Sequence, residues 1–172
     1  DMYHHKKRMD IEFATAIVHN SHYFHTNKNE IENPNEIKEE FRKLAKEQLK
    51  SKNPKDWYRA YFNYGLGRKA LGKERLLPCN AGENIFFVDP YGDVIPCNGM
   101  DEKRTMGNLK DKPFEEIWNS DQAEEVRNQH CYPDCNKECW MIGSVGVEMR
   151  SNKWKPTKWI LRHKFLGKNM EI

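Results

Sequence analysis

Five cysteines carry the most distinctive chemistry in this sequence, and all of them lie between residues 79 and 139. Cys79 and Cys97 bracket one short segment, and Cys131, Cys135 and Cys139 follow with three residues between neighbours. Thiolates bind zinc or iron-sulfur clusters, and four that converge satisfy either a tetrahedral zinc ion or a four-iron cluster. The sequence around the last three cysteines is polar, which favours ligands over buried structural thiols. Zinc-ribbon knuckles usually have two residues between thiols, so the three-residue spacing is mild evidence against zinc.

Composition limits what else these thiols could do. The chain has 172 residues, of which 37% are hydrophobic and 32% charged, with a mean hydropathy of -0.99. No apolar run approaches the roughly 20 residues of a membrane span, and no secretory signal is recognisable. We therefore expect a cytoplasmic protein without a membrane partner, in which an odd count of five thiols does not form a disulfide framework. A net charge of +3 is too small to indicate a nucleic-acid partner by itself.

The segment between Cys79 and Cys97 has the pattern of a β-hairpin. Strand-like runs at 85–88 and 94–95 flank Asp89-Pro90-Tyr91-Gly92-Asp93. In this segment Pro90 presets a turn and Gly92 supplies a positive φ. Such a hairpin would bring Cys79 and Cys97 to the same end of the ribbon. Asp89 and Asp93 are predicted to form the turn rather than to act in acid-base catalysis.

Helical and strand-like patterns surround this segment. Residues 11–18 are apolar and β-branched, which predicts a strand. Asn33-Pro34 and Asn53-Pro54 predict the starts of two helices, the first with a side-chain cap from Asn33, and Gly65, Gly67 and Gly72 weaken the second. After the hairpin, the spacing of Phe114, Ile117 and Trp118 predicts a helix, and Ser120 can cap another.

The C-terminal part is basic and contains interleaved aromatic residues. We expect Trp154, Trp159, Ile160, Phe165 and Leu166 to dock this segment on the body, with the lysines left in solvent. Residues 140–142 follow Cys139 and are predicted to shield a bound metal group from water. The alternative for the tail is a zinc-stabilised binding module, in which Trp154 and Trp159 stack on nucleic-acid bases and the lysines contact phosphates.

Several of these elements occur in an order typical of one family. The sequence resembles the SPASM or twitch region of radical S-adenosylmethionine (radical SAM) enzymes in Cys79, the Gly92–Cys97 segment, Gly107-Asn108-Leu109, residues 114–120, and the closing Cys131, Cys135 and Cys139. The resemblance implies an auxiliary [4Fe-4S] cluster beside a partial (β/α)6 barrel. It also implies an α+β fold with three parts: the last barrel strand and linking helices at 1–75, a SPASM/twitch domain with a hairpin and helices at 76–145, and a basic tail or helix at 146–172.

The resemblance also implies a function and its limits. Five thiols cannot fully ligate two four-iron clusters, so one cluster is expected, held by Cys79, Cys97 and two of the remaining three. The family's C-x-x-x-C-x-x-C motif is absent from this sequence. The chain alone should therefore not cleave S-adenosylmethionine, which would bind with a second [4Fe-4S] cluster in a missing N-terminal barrel. In the intact oxidoreductase or maturase, the auxiliary cluster would support electron transfer or position a substrate. Peptides, proteins, sugars and small molecules are all possible substrates, and an electron-donor protein is a further expected partner.

Overall fold

The structure, a computed structural model, describes residues 2–9, 11, 13–21, 23, 25–26, 28–100, 104–130 and 139–172. It is an α+β fold whose helices are α1 (Met2–Met9), α2 (Pro34–Lys50), α3 (Pro54–Ala70), α4 (Phe114–Trp118), α5 (Asp121–His130), α6 (Ile142–Ser151) and α7 (Trp154–Ile160), followed by a π-helical turn at Leu161–Phe165. The strands are β1 (Phe87–Val88), β2 (Asp93–Ile95) and β3 (Gly107–Asn108). No helix in the described ranges is both long and apolar enough to cross a membrane.

The α2 and α3 helices form an antiparallel pair and begin at the two prolines that the sequence indicates. Proline suits the first helical turn because its missing N–H would have no intrahelical partner there. The side chain of Asn53 accepts a hydrogen bond from the Lys55 backbone N–H at 3.0 Å and so caps α3. The cap predicted for Asn33 is wrong, since its side chain makes no capping hydrogen bond. Only the backbone carbonyl of Asn33 takes part, accepting from the Ile37 N–H at 3.1 Å.

One hydrophobic core joins these two helices to the C-terminal part of the chain. Its buried members come from widely separated parts of the sequence: Ala45 and Leu49 of α2, Ala60, Tyr61, Phe62 and Leu66 of α3, Leu77, Trp140, the α6 residues Val145 and Met149, Trp159 and Ile160 of α7, and Met170. Burial of this much aliphatic and aromatic surface is the main force holding the two ends of the chain together.

A second, smaller core lies beneath the three-stranded sheet. The predicted hairpin is confirmed: β1 pairs antiparallel with β2, with Phe87 opposite Ile95 and Val88 opposite Val94. Strand β3 pairs antiparallel on the other side of β2. The inward side of this sheet packs on α4 and α5, and its buried members are Val94, Met106, Ile117 and Ala123. This arrangement fixes the hairpin relative to α5.

The strand predicted at residues 11–18 does not form. The described residues of this segment have no ladder partner, and a strand without a neighbour cannot satisfy its backbone groups. The segment still alternates: Phe13, Thr15 and Ile17 are partly buried, whereas Ala14, Ala16 and Val18 are exposed. The Thr15 hydroxyl donates to Oδ1 of the α3 residue Asn63 at 2.5 Å. One face of the segment therefore lies on the helices.

The C-terminal segment docks as the sequence predicts, but with fewer of its aromatic residues. Trp159 and Ile160 are buried, while Trp154, Phe165 and Leu166 are exposed. The expectation that every lysine stays in solvent is wrong for Lys164. Its ammonium group donates to the carbonyls of Leu49 and Ser51 at the C-terminal end of α2, where the helix dipole and unpaired carbonyls favour a cation.

Candidate metal centre

Cys97 lies directly after the buried end of β2. Val94, Ile95 and Pro96 are each buried, and Cys97 is the first residue of the strand's exit to be partly exposed. The backbone N–H of Gly99 donates to the Cys97 sulfur, with 3.2 Å between nitrogen and Sγ. A hydrogen bond of this kind stabilises the thiolate form that binds metals.

The loop after Cys79 packs against the residue that precedes Cys97. Gly82 has a positive φ of 87°, and a Cβ atom placed there would be 3.1 Å from Cβ of Pro96. The Arg127 side chain of α5 donates from Nε to the Gly82 carbonyl at 2.9 Å. The same guanidinium lies over the Trp118 ring at 4.4 Å. The second core therefore holds the Cys79 loop and the Cys97 loop side by side.

Trp140 anchors the third described cysteine, Cys139, to the main core. The indole is 2% exposed, and its Nε1–H donates to the Phe62 carbonyl at 2.8 Å. It stacks on the Phe62 ring with centroids 6.4 Å apart. Gly65 leaves space for the ring, because a Cβ at that position would be 2.0 Å from Cε2 of Trp140. The predicted shielding role of residues 140–142 does not extend to Ile142, which is 61% exposed.

The start of α6, which follows Cys139, lies beside the Cys97 loop. Burial raises the pKa of the Cys139 thiol, and the charge of Cys79 adds to this, whereas the cations Arg75 and Lys69 act in the opposite direction. Two residues beyond Cys139, the Met141 sulfur lies 2.7 Å from the position a Gly99 Cβ would take. The same Cβ position is 3.6 Å from the Cys97 sulfur. The three cysteine segments thus approach one region from the hairpin and from the start of α6.

Two of the five predicted ligands, Cys131 and Cys135, lie outside the described residues. Within the described ranges, no group of three or more His, Cys, Asp or Glu side chains is arranged to hold a metal ion. Which four of the five cysteines act together therefore stays a prediction. Asp89 and Asp93, in contrast, have the turn role that the sequence indicates: Asp89 Oδ1 accepts from the backbone N–H groups of Tyr91 at 2.8 Å and Asp93 at 3.0 Å.

The residues around Cys139 fit an anionic metal-thiolate group. Cys79, Cys97 and Cys139 are each partly buried. Both terminal nitrogens of Arg75, Nη1 and Nη2, are buried and have no hydrogen-bond partner among the described residues. A buried guanidinium without an acceptor is costly, and a negatively charged cluster bound to neighbouring thiolates would supply both acceptors and charge. The cysteine sulfurs could ligate such a metal group, and the Gly99 N–H and the two terminal nitrogens of Arg75 could donate hydrogen bonds to its sulfur atoms.

The fold is α+β, with a hairpin and short helices, and the chain segments that follow Cys97 and Cys139 meet near Gly99. A family model described as SPASM, an iron-sulfur cluster-binding domain, matches residues 79–140. This segment is a SPASM region, so the protein carries an iron-sulfur cluster-binding domain. No curated protein and no solved structure is similar enough to the chain to count as a match.

Two residues that shape this region were missed by sequence reasoning. Gly65 could have been noticed, since a glycine inside a helical pattern often marks a place where another group packs closely against the helix. The sequence does not indicate that this group is the Trp140 indole. Helix α3 continues through Gly65 and Gly67 to Ala70 instead of weakening there. Arg75 carried no signal, because it lies among charged residues typical of a solvated loop.

The alternative function, a nucleic-acid-binding tail, requires Trp154 and Trp159 to stack on bases, and the structure buries Trp159. Trp159 is 9% exposed and packs against the ring of Tyr61 at 5.5 Å and the ring of Tyr64 at 5.0 Å between centroids. A side chain held in this way presents no face on which a base could stack. Trp154 is 68% exposed but has no second aromatic residue of the predicted pair beside it.

Proposed function

We propose that this chain holds one auxiliary [4Fe-4S] cluster and forms part of a radical SAM enzyme, where the cluster supports electron transfer or substrate positioning. The observation that carries the proposal is the SPASM match, because residues 79–140 include all five cysteines of the chain. We propose Cys79 and Cys97 as two ligands, with the other two drawn from Cys131, Cys135 and Cys139.

The chain's own residues would prepare this site in three ways. The sheet and α5 hold the Cys79 and Cys97 loops against each other, and Trp140 fixes the backbone beside Cys139. The Gly99 N–H bonded to the Cys97 sulfur favours the deprotonated ligand. When bound, a four-iron cluster supplies a one-electron redox centre, and ligation by four thiolates leaves no iron open to a substrate.

The alternating segment at 13–18 supports the barrel part of the proposal. Its inner face rests on α3, while Ala16 and Val18 are exposed and its backbone has no ladder partner among the described residues. An extended segment with one free edge is suited to pairing with another strand. We propose that it joins the sheet of a barrel which also carries S-adenosylmethionine and a second cluster, in a part of the protein outside these 172 residues.

The test is anaerobic reconstitution of the chain with iron and sulfide. We expect about four iron and four sulfide ions per chain, the visible absorption of an iron-sulfur cluster, and no more than trace zinc when both metals are offered. Stoichiometric zinc binding by a colourless protein that excludes iron would overturn the proposal.

Single substitutions of the five cysteines then test the ligand set. We expect Cys97→Ala to abolish iron binding and to lower the stability of the sheet, while α2 stays helical by circular dichroism because its core is separate. Of Cys131→Ala, Cys135→Ala and Cys139→Ala, one should retain the wild-type iron content. If all three lose iron, or if Cys97→Ala retains it, the four-ligand assignment is wrong.

A further inference from the structure

The Arg75 guanidinium has one hydrogen-bonded nitrogen and two buried nitrogens without an acceptor among the described residues. Its Nε donates to the Leu77 carbonyl at 2.7 Å, which fixes the plane of the guanidinium. The two remaining nitrogens, Nη1 and Nη2, are buried and unpartnered. A guanidinium is always charged at physiological pH and has donors on both of these atoms. Burial of both without an acceptor would be strongly unfavourable if the site were complete.

The buried carboxylate of Glu148 does not neutralise Arg75. Glu148 of α6 is 2% exposed, and its Oε2 accepts from the side-chain amide of Asn80 at 3.2 Å. Burial raises the pKa of Glu148, and the hydrogen bond from Asn80 and the charge of Arg75 act in the opposite direction. No ion pair between Glu148 and Arg75 occurs in the described part of the chain. The two terminal nitrogens of Arg75 therefore have no acceptor among the described residues.

Hydrogen bonds and core packing fix the segment between Arg75 and Asn80 next to the main core. Arg75 is hydrogen-bonded to the carbonyl of Leu77. Leu77 belongs to the main core together with Trp140, and Trp140 directly follows Cys139 in the sequence. Cys79 follows Leu77 by two residues, and Asn80 bonds to α6. The Arg75–Asn80 segment is thus fixed to the same core as the Trp140 indole, which directly follows Cys139.

We propose that Arg75 donates hydrogen bonds from Nη1 and Nη2 to sulfur atoms of the iron-sulfur cluster beside Cys139 and raises its reduction potential. This inference rests on the function proposed above. Reduction adds one electron to a thiolate-ligated cluster that is already negative, and a cation at hydrogen-bond distance favours the reduced form. A resident cluster is a better acceptor here than a diffusible anion, since Nη1 and Nη2 are inaccessible to solvent.

The experiment is a potentiometric titration of the reconstituted full chain against a mediated electrode, followed by electron paramagnetic resonance of the reduced cluster. At the wild-type midpoint potential, we expect Arg75→Met to raise the oxidised-to-reduced ratio from one to about ten or more. A tenfold change corresponds to about 59 mV for a one-electron couple. Arg75→Lys, which keeps the charge but not the planar pair of donors, should shift the ratio by less.

Lys73→Met is the matched control. It removes the same charge two residues away from an exposed side chain, so the ratio should stay within about twofold of wild type because solvent screens the lost charge. An equal shift in Lys73→Met and Arg75→Met would overturn the proposal, since it would show a general effect of net charge.

A second measurement covers the case in which Arg75→Met does not fold. With arginine labelled with ¹⁵N, the reduced wild-type cluster should show a ¹⁵N coupling in electron-nuclear double resonance, and Arg75→Lys should lose it. The two proposals fail separately. Wild type that binds no iron refutes the proposed function, whereas iron-loaded wild type without the coupling, or Arg75→Met with an unchanged potential, refutes the role of Arg75 alone.

Discussion

The substitution Gly65→Ala tests how the cysteine region is attached to the main core. Gly65 lies inside α3, where alanine would ordinarily stabilise the helix by about 1 kcal/mol. Here the new methyl group would be 2.0, 2.2 and 2.4 Å from three atoms of the Trp140 indole. These separations are far below van der Waals contact, and the ring is rigid and 2% exposed. Trp140 must therefore leave its present position.

The expected cost follows from what Trp140 loses. Overpacking of a core costs up to about 3 kcal/mol, and complete loss of a buried tryptophan costs up to about 5 kcal/mol. After the helix-propensity gain is subtracted, we expect Gly65→Ala to lower the free energy of unfolding by roughly 2–4 kcal/mol. For a chain of this size, that corresponds to a melting temperature roughly 4–16 °C lower.

Chemical denaturation followed by far-ultraviolet circular dichroism measures this change. The control is Gly146→Ala in α6, where a Cβ would meet no atom within 4 Å; it should be neutral or stabilising by up to about 1 kcal/mol. A Gly65→Ala protein as stable as Gly146→Ala would refute the packing of Trp140 on α3.

A double-mutant cycle separates the steric conflict from other effects. Trp140→Leu removes the ring atoms that conflict with the new methyl group, so Gly65→Ala should cost much less in that background. We expect a coupling energy of about 1–3 kcal/mol between the two sites, as is common for residues in contact. Simple additivity would mean that Gly65→Ala acts on the helix alone.

Two other contacts give predictions of different kinds. Arg127→Met should lower stability by about 1–3 kcal/mol and loosen the Cys79 loop, because it removes the donor to the Gly82 carbonyl; faster amide exchange at residues 80–85 checks this, and unchanged exchange would contradict it. Burial lowers the pKa of His163, so the folded state binds a proton less readily than the unfolded chain. His163 therefore leaves the folded state undisturbed above the unfolded-state pKa of about 6.5, and the free energy of unfolding decreases as the pH falls below that value. Thermal unfolding from about pH 8 to pH 5 should therefore be less pH-dependent in His163→Asn than in wild type, and parallel curves would show that His163 does not contribute.

Local chemistry made the hairpin turn and the starts of two helices predictable. The turn at Asp89–Asp93 depends on side chains adjacent in sequence, and Gly92 has the positive φ of 93° that the turn requires. The starts of α2 and α3 follow from proline, whose fixed φ and missing N–H act within one helical turn. Family resemblance extended this to the SPASM region, because its cysteines and hairpin keep a recognisable order. The predicted side-chain cap at Asn33 is wrong because the residue type allows a cap but does not fix the direction of the side chain.

The sequence by itself determined the cysteine window, the hairpin and the helix starts, since each depends on residue type and short spacing. Only the tertiary structure decided that Gly65 makes room for Trp140 and that Trp159 is core while Trp154 is exposed. It also decided that the described residues of the 11–18 segment have no strand partner, and that both terminal nitrogens of Arg75 are buried with no partner in the described part of the chain. These features depend on which atoms meet across long separations in sequence, and a spacing pattern carries no information about them.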